Sequence, residues 1–187
     1  MARLPLVDPA AATGSNKQVF DALQKRLGVV PNMTRAMANA PSVLHGYASF
    51  SGALAGGRLP AGLREEIALL SAEVNACEYC LSAHSAIGAM VGLSAAQQGE
   101  ARRGSGPDSK STAALRFAKA VIDAKGGVNA DDVKAVRAAG YTDAEIAEIV
   151  AEVALNYFTN VFNRAFEVDV DFPRVAPLAE QRRAVSV

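Results

Sequence analysis

Apolar residues recur along this chain at helical intervals, and glycines and prolines divide the pattern into a succession of short helices. Val19, Leu23 and Leu27 mark one helix over 16–27, which Gly28 stops. Pro31 and Pro41 bracket a short segment. Pro41 also suits the first turn of a helix over 42–54 that ends at Gly56-Gly57. Pro60 opens the next, striped by Leu63, Ile67, Leu70 and Val74. Asn75 followed by Glu78 has capping-box spacing and predicts a helix from Asn75 to about Val91, stopped by Gly92. A short helix from Ser94, a turn at Gly104-Ser105-Gly106-Pro107 and helices over 109–125 and 130–139 are expected beyond it. Thr142 and Glu145 repeat the capping-box spacing and open a long helix with Ile146, Val150, Val153, Tyr157 and Val161 on its inner face. No strand pattern matches these in strength, so the expected class is all-α, a single helical bundle over 1–187.

One segment echoes another. Residues 66–74 and 145–153 agree at six of nine positions, at an offset of 79 residues. Alanine-rich amphipathic helices converge by chance, so internal duplication and coincidence both stay open. If the echo is a duplication, the second copy lacks the thiols, with Asn156 opposite Cys77.

Composition narrows the class further. Half of the 187 residues are hydrophobic, and 19 basic residues balance 19 acidic ones, so no net field recruits nucleic acid or an anionic membrane. The longest apolar runs, such as 67–70, are far too short to cross a bilayer. Met1-Ala2-Arg3-Leu4-Pro5 has no apolar core of a secretory signal, and a cytoplasmic protein is expected.

The chemistry concentrates in one stretch. Both cysteines and one of the two histidines fall in Cys77-Glu78-Tyr79-Cys80-Leu81-Ser82-Ala83-His84. On a helix, Cys77, Cys80 and His84 share a face. Two cysteines so close in sequence are a poor structural staple, because closing a short loop removes little chain entropy. In a reducing compartment such a pair points to function. Near a helix N-terminus the dipole and free N–H groups favour a thiolate. The residues therefore suggest Cys80 as nucleophile, Cys77 as resolving thiol and His84 as base. Glu65, Glu66 and Glu73 are each able to orient His84, and spacing does not choose among them. A Cys₂His zinc site completed by a carboxylate, and a pair of buried structural cysteines, are the alternatives. His45 reads as a helix-flank residue without catalytic duty. Asn156, Asn160 and Asn163 form either a buried hydrogen-bonding row or a polar helix edge.

Arg64-Glu65-Glu66-Ile67, then Cys77-Glu78-Tyr79-Cys80 and His84, resemble the alkylhydroperoxidase D-like branch of the carboxymuconolactone decarboxylase family. The likeness extends to residues 27–33, Ala40-Pro41, residues 156–163 and Val170-Asp171-Phe172-Pro173, so it spans nearly the whole chain. It implies a helical fold, a homo-oligomer (trimer or hexamer) and a thiol-dependent peroxidase, or an adaptor passing electrons to a peroxiredoxin. In such proteins the second cysteine attacks peroxide and the first resolves, which are Cys80 and Cys77 here. The relay histidine matches His84. The relay glutamate, twelve residues before the first cysteine, matches Glu65. Two positions depart from the pattern. Tyr79 stands between the cysteines where the best-understood peroxidases carry a histidine, and Arg164 follows Asn163 where a histidine is expected.

The expectation is thus a peroxidase with a hydroperoxide substrate, an external dithiol or protein reductant and no cofactor. Its rivals are an electron-transfer adaptor, a non-catalytic assembly with a structural or metal-binding cysteine pair, and a lyase or isomerase acting on a small acid.

Overall fold

The computed structural model describes residues 2–180, so both ends of the expected 1–187 domain lie outside the described residues. Among these residues no strand occurs. The helices are α1 (Gly14–Leu27), α2 (Asn32–Met37), α3 (Pro41–Ala55), α4 (Ala61–Val74), α5 (Glu78–Met90), α6 (Ala95–Arg102), α7 (Ser109–Asp123), α8 (Ala130–Ala138) and α9 (Asp143–Phe166). Local signals account for most of their ends. Gly28 closes α1 in the left-handed conformation, and Pro41 occupies the first turn of α3. Complete capping boxes start α6 at Ser94, α8 at Asn129 and α9 at Thr142. None of the described helices is long and apolar enough to cross a membrane.

Helix α4 is the centre of the bundle and packs against α5, α6, α7 and α9. Its expected stripe of Leu63, Ile67 and Leu70 is buried, but so are Ala68, Leu69, Ser71 and Ala72, because neighbours cover it on every side. Of the stripe, only Val74, at the end of the helix, emerges. Leu69→Ala leaves a hole in this core, and is expected to lower the unfolding free energy by about 2–5 kcal/mol in a urea titration.

Two expectations need correction. Asn75 does not cap a new helix. It ends α4, and Ala76 then turns the chain at φ +49°, so that Cys77 takes the capping position and α5 starts at Glu78. The amide of Asn75 is engaged elsewhere, donating to Asn160 Oδ1 at 2.9 Å. Helix α9 also faces the core with a different side. Ile146 and Val153 are buried as expected, but Ile149, Asn156, Asn160 and Asn163 complete the inner face, while Val150, Tyr157 and Val161 are exposed. Both sides of α9 carry apolar residues at helical spacing. Partners on α2, α4 and α5 for the asparagines select the buried one.

Long-range contacts fix α9 and the terminal segments. Glu148 accepts from the N–H groups of Arg58 (2.7 Å) and Leu59 (3.0 Å), and a Cβ on Gly57 would fall 2.7 Å from its Oε2, so a larger residue there would displace this carboxylate. After α9 the chain returns across the bundle. Asp171 accepts from the N–H of Asn32 at the start of α2, Phe172 packs edge-on against Tyr79, and Val175 N–H donates to Ser82 Oγ on α5. Further on, Leu178 N–H and the Arg102 guanidinium both engage Glu73. The echo between α4 and α9 stops where α4 breaks, since α9 continues unbroken past the matching position.

Candidate active site

The break between α4 and α5 builds the cysteine site. With Cys77 at the cap, its Sγ accepts from the backbone N–H of Cys80 at 3.3 Å, as a serine hydroxyl does in an ordinary N-cap. Cys80 therefore sits in the first turn of α5, where the helix dipole favours an anion. Both sulfurs are reduced and buried, with Cys77 1% and Cys80 2% exposed. Their surroundings differ. Cys80 lines a cavity of about 450 Å³ enclosed by α1–α5 and α9, whereas Cys77 lies behind its wall. The lining is mainly apolar, with Leu23, Leu27, Met33, Ile87, Leu155 and Phe172 prominent. It reaches the exposed side chains of Met90 and Val91.

His84 follows Cys80 by one turn on the same wall. Its Nδ1–H donates to Glu65 Oε2 at 2.7 Å, leaving Nε2 to exchange protons with the cavity. Of the three carboxylates left open by spacing, Glu65 alone meets His84. Glu66 is buried on another side of α4, and Glu73 holds Arg102. None of the three is a solvated helix face.

Charge at the site follows from these contacts. Burial disfavours the Cys80 anion, but the hydrogen bond from Cys77, the His84 imidazolium and the amides of Asn163 and Asn160 outweigh it and bring the thiol down to about 7. Cys77 moves the opposite way, because its proton is held on the Cys80 sulfur and its own surroundings are buried. Burial pushes His84 down, yet the Glu65 carboxylate, with Cys80 and Glu152 beyond it, raises it above its ordinary value. The pair thus favours a Cys80 thiolate beside a protonated imidazole, with Cys77 kept as a thiol.

Several contributors are not apparent in the sequence. Glu152 of α9 lines the cavity with Arg64 Nε 3.8 Å away, and burial raises its carboxyl to about 7. Met33 of α2 brings its sulfur within 3.2 Å of Asn163 Nδ2. Tyr79, the residue between the cysteines, is no proton relay in this arrangement. It is buried, its hydroxyl accepts from the N–H of Met33 at 3.1 Å, and burial drives its ionisation far up. Arg164 is exposed on α9, and His45 does not line the cavity. Among the described residues no cluster of three or more His, Cys, Asp or Glu side chains is arranged to hold a metal ion.

Residues 41–123, from the start of α3 to the end of α7, match the model of the carboxymuconolactone decarboxylase family. Comparison with curated proteins gives no match. Among solved structures, an alkylhydroperoxidase AhpD core, an uncharacterized peroxidase-related protein from Ralstonia eutropha JMP134, is similar with a TM-score of 0.84 at 26% identity, over 91% of this chain and 92% of that one. An uncharacterized peroxidase-related protein from Silicibacter sp. TM1040 gives a TM-score of 0.79 at 24% identity, over 94% and 92%. The debrominase Bmp8 shares the fold, with a TM-score of 0.77 at 21% identity over 89% and 90%. Residues 41–123 are thus similar to the carboxymuconolactone decarboxylase family, and the helical fold is similar to that of an alkylhydroperoxidase AhpD core.

Proposed function

We propose that the protein is a thiol-dependent peroxidase that reduces hydroperoxides through a Cys77/Cys80 dithiol–disulfide cycle. The observation that carries this reading is the placement of Cys80 in the cavity wall, one turn from a His84–Glu65 pair, with Cys77 capping the same turn. The Cys80 thiolate attacks the terminal oxygen of the hydroperoxide, forming an S–O bond as the O–O bond breaks. His84 gives its proton to the departing alkoxide, so the products are an alcohol and a Cys80 sulfenic acid. Cys77 then attacks the oxidised sulfur, its proton passing by way of His84 to the departing hydroxide, and water and a disulfide result. An external dithiol returns both sulfurs to the reduced state and is itself oxidised to a disulfide.

Burial of both sulfurs supports peroxide reduction over service as an electron relay. A small hydroperoxide can enter the cavity, whereas a protein thiol docking on Cys80 needs a sulfur at the surface. The assembly of identical subunits implied by the resemblance fits the exposed apolar row of Val150, Tyr157, Phe158 and Val161 on α9.

The direct test adds one equivalent of hydroperoxide to reduced protein and follows free thiols. Both are expected to disappear together with the peroxide, in a Cys77–Cys80 disulfide. Thiols that survive while peroxide persists would sink the reading.

The lowered Cys80 thiol gives a second expectation. Its deprotonated fraction rises as pH increases, so alkylation by iodoacetamide should accelerate up to a plateau with a midpoint near pH 7. A midpoint at the ordinary thiol value of about 8.5 would show that the site does not activate Cys80.

A further inference from the structure

The inner row of α9 carries three asparagines, one of which contacts the Cys80 sulfur while a second, Asn160, is buried beside it on the same helix face. Asn163 Nδ2 lies 3.3 Å from Cys80 Sγ and 3.2 Å from Met33 Sδ. Asn160 is fully buried, and its amide also helps to lower the Cys80 thiol. Its Oδ1 is held at 2.9 Å by the Asn75 amide, at the break between α4 and α5. Its Nδ2 has no partner within ordinary hydrogen-bond distance among the described residues. A buried amide N–H left this way costs free energy, and a sulfur anion is a far better acceptor than a neutral thiol. Asn156, the third of the row, is committed to the Glu152 carbonyl and takes no part.

We propose that Asn160 and Asn163 form an amide cradle for the Cys80 sulfur anion, pinned by Asn75, which positions the thiolate and sets the redox balance of the dithiol. The cradle favours the state in which Cys80 bears a full negative charge and gains less from the neutral disulfide. Reduction of the disulfide takes two electrons and one proton and leaves the Cys80 thiolate beside the Cys77 thiol. Donors that stabilise the thiolate therefore pull the couple toward the reduced form and make the disulfide more oxidising. The other charged or titratable groups around Cys80 and its partners are Cys77 at the cap of α5, Tyr79 and His84 on α5, Glu65 from α4, Tyr47 from α3, and Glu152 and Arg164 from α9. The asparagines supply donors with no charge to titrate.

The inference rests on the dithiol reading of the site and not on peroxide as the oxidant, so alkylation and thiol–disulfide exchange test it directly. In Asn163→Ala, the midpoint of the iodoacetamide pH profile is expected to rise by about one unit, with a plateau rate at high pH that does not fall, since a more basic thiolate is also the better nucleophile. The equilibrium of the protein disulfide with dithiothreitol, measured above both midpoints, should move roughly tenfold toward the protein disulfide, which corresponds to a potential about 30 mV more negative. Asn75→Ala changes a residue outside the cavity and releases the Asn160 amide. It should shift both readouts in the same direction by a smaller factor, and it keeps the test readable if the Asn163 variant does not fold. Unchanged midpoints and equilibria in folded variants overturn the cradle. A lower plateau with an unmoved midpoint overturns it as well, since that reports altered access to the sulfur. Failure of the wild type to form the disulfide at all is a separate outcome, and it removes the dithiol reading on which the cradle rests.

Discussion

Cys80→Ser is expected to abolish hydroperoxide turnover, while Cys77→Ser should react once and then stall. The asymmetry comes from placement. Cys80 alone of the two faces the cavity, and its thiol is lowered to about 7, so a thiolate is available where peroxide arrives. A serine hydroxyl in its place does not ionise in this range, and turnover supported by dithiothreitol should fall to background. Cys77→Ser is a cleaner variant than most core substitutions. Serine is a preferred N-cap residue, and its hydroxyl can accept the same backbone N–H that Cys77 Sγ now accepts. The fold and the start of α5 should survive, and only the resolving thiol is lost. Such a protein consumes a single equivalent of peroxide and accumulates a sulfenic acid that dimedone traps. With excess peroxide it proceeds to sulfinic acid, detectable by mass spectrometry. A single-equivalent stall in Cys80→Ser with no reaction in Cys77→Ser would reverse the roles, and full turnover by Cys80→Ser would remove Cys80 as the nucleophile. Wild-type thiols that exchange rapidly with a protein dithiol but ignore peroxide would point to an electron relay.

How much of this was legible beforehand depends on the range of the interaction concerned. Capping boxes are local, so the starts of α6 and α9 could be read from Ser94 and from Thr142 with Glu145. The clustering of Cys77, Cys80 and His84 is local too. The same reasoning failed at Asn75, where an identical spacing exists but the side chain is drawn to Asn160, 85 residues away, and Ala76 breaks the chain first. It also failed on α9. Hydrophobic periodicity identifies a helix but does not choose between two sides that both carry apolar residues, and the choice rested on sulfur and amide partners from distant elements. Spacing left Glu65, Glu66 and Glu73 equivalent, and resemblance alone selected Glu65. In the fold it is the crossing of α4 over α5 that brings Glu65, and neither of the others, to His84. Glu152 had no local signal at all. Only packing turns an ordinary helix glutamate into a buried acid at the cavity wall.

Glu65→Gln is expected to slow the reaction of Cys80 with hydroperoxide by roughly 10²–10³-fold at neutral pH, within the range usual for a positioned acid–base group. The substitution separates two contributions of Glu65. A glutamine oxygen can still accept from His84 Nδ1–H, so the ring keeps its orientation, but the negative charge that supports the imidazolium is gone. Burial then dominates at His84, opposed only by Cys80 and Glu152, and its pKa should fall. A neutral imidazole at working pH has two consequences. It no longer supports the Cys80 thiolate, so the alkylation midpoint moves to higher pH. It also has no proton for the departing alkoxide, so peroxide reaction loses more than alkylation does, even at a pH where Cys80 is ionised in both proteins. That second difference is the informative one. Equal losses in the two reactions would mean that Glu65 acts only through thiolate formation, and no loss in either would remove the Glu65–His84 pair from the mechanism. Glu152→Gln provides the graded comparison. It removes a more weakly coupled carboxyl that burial already biases toward its neutral form, so the same shifts should appear in the same direction and be smaller.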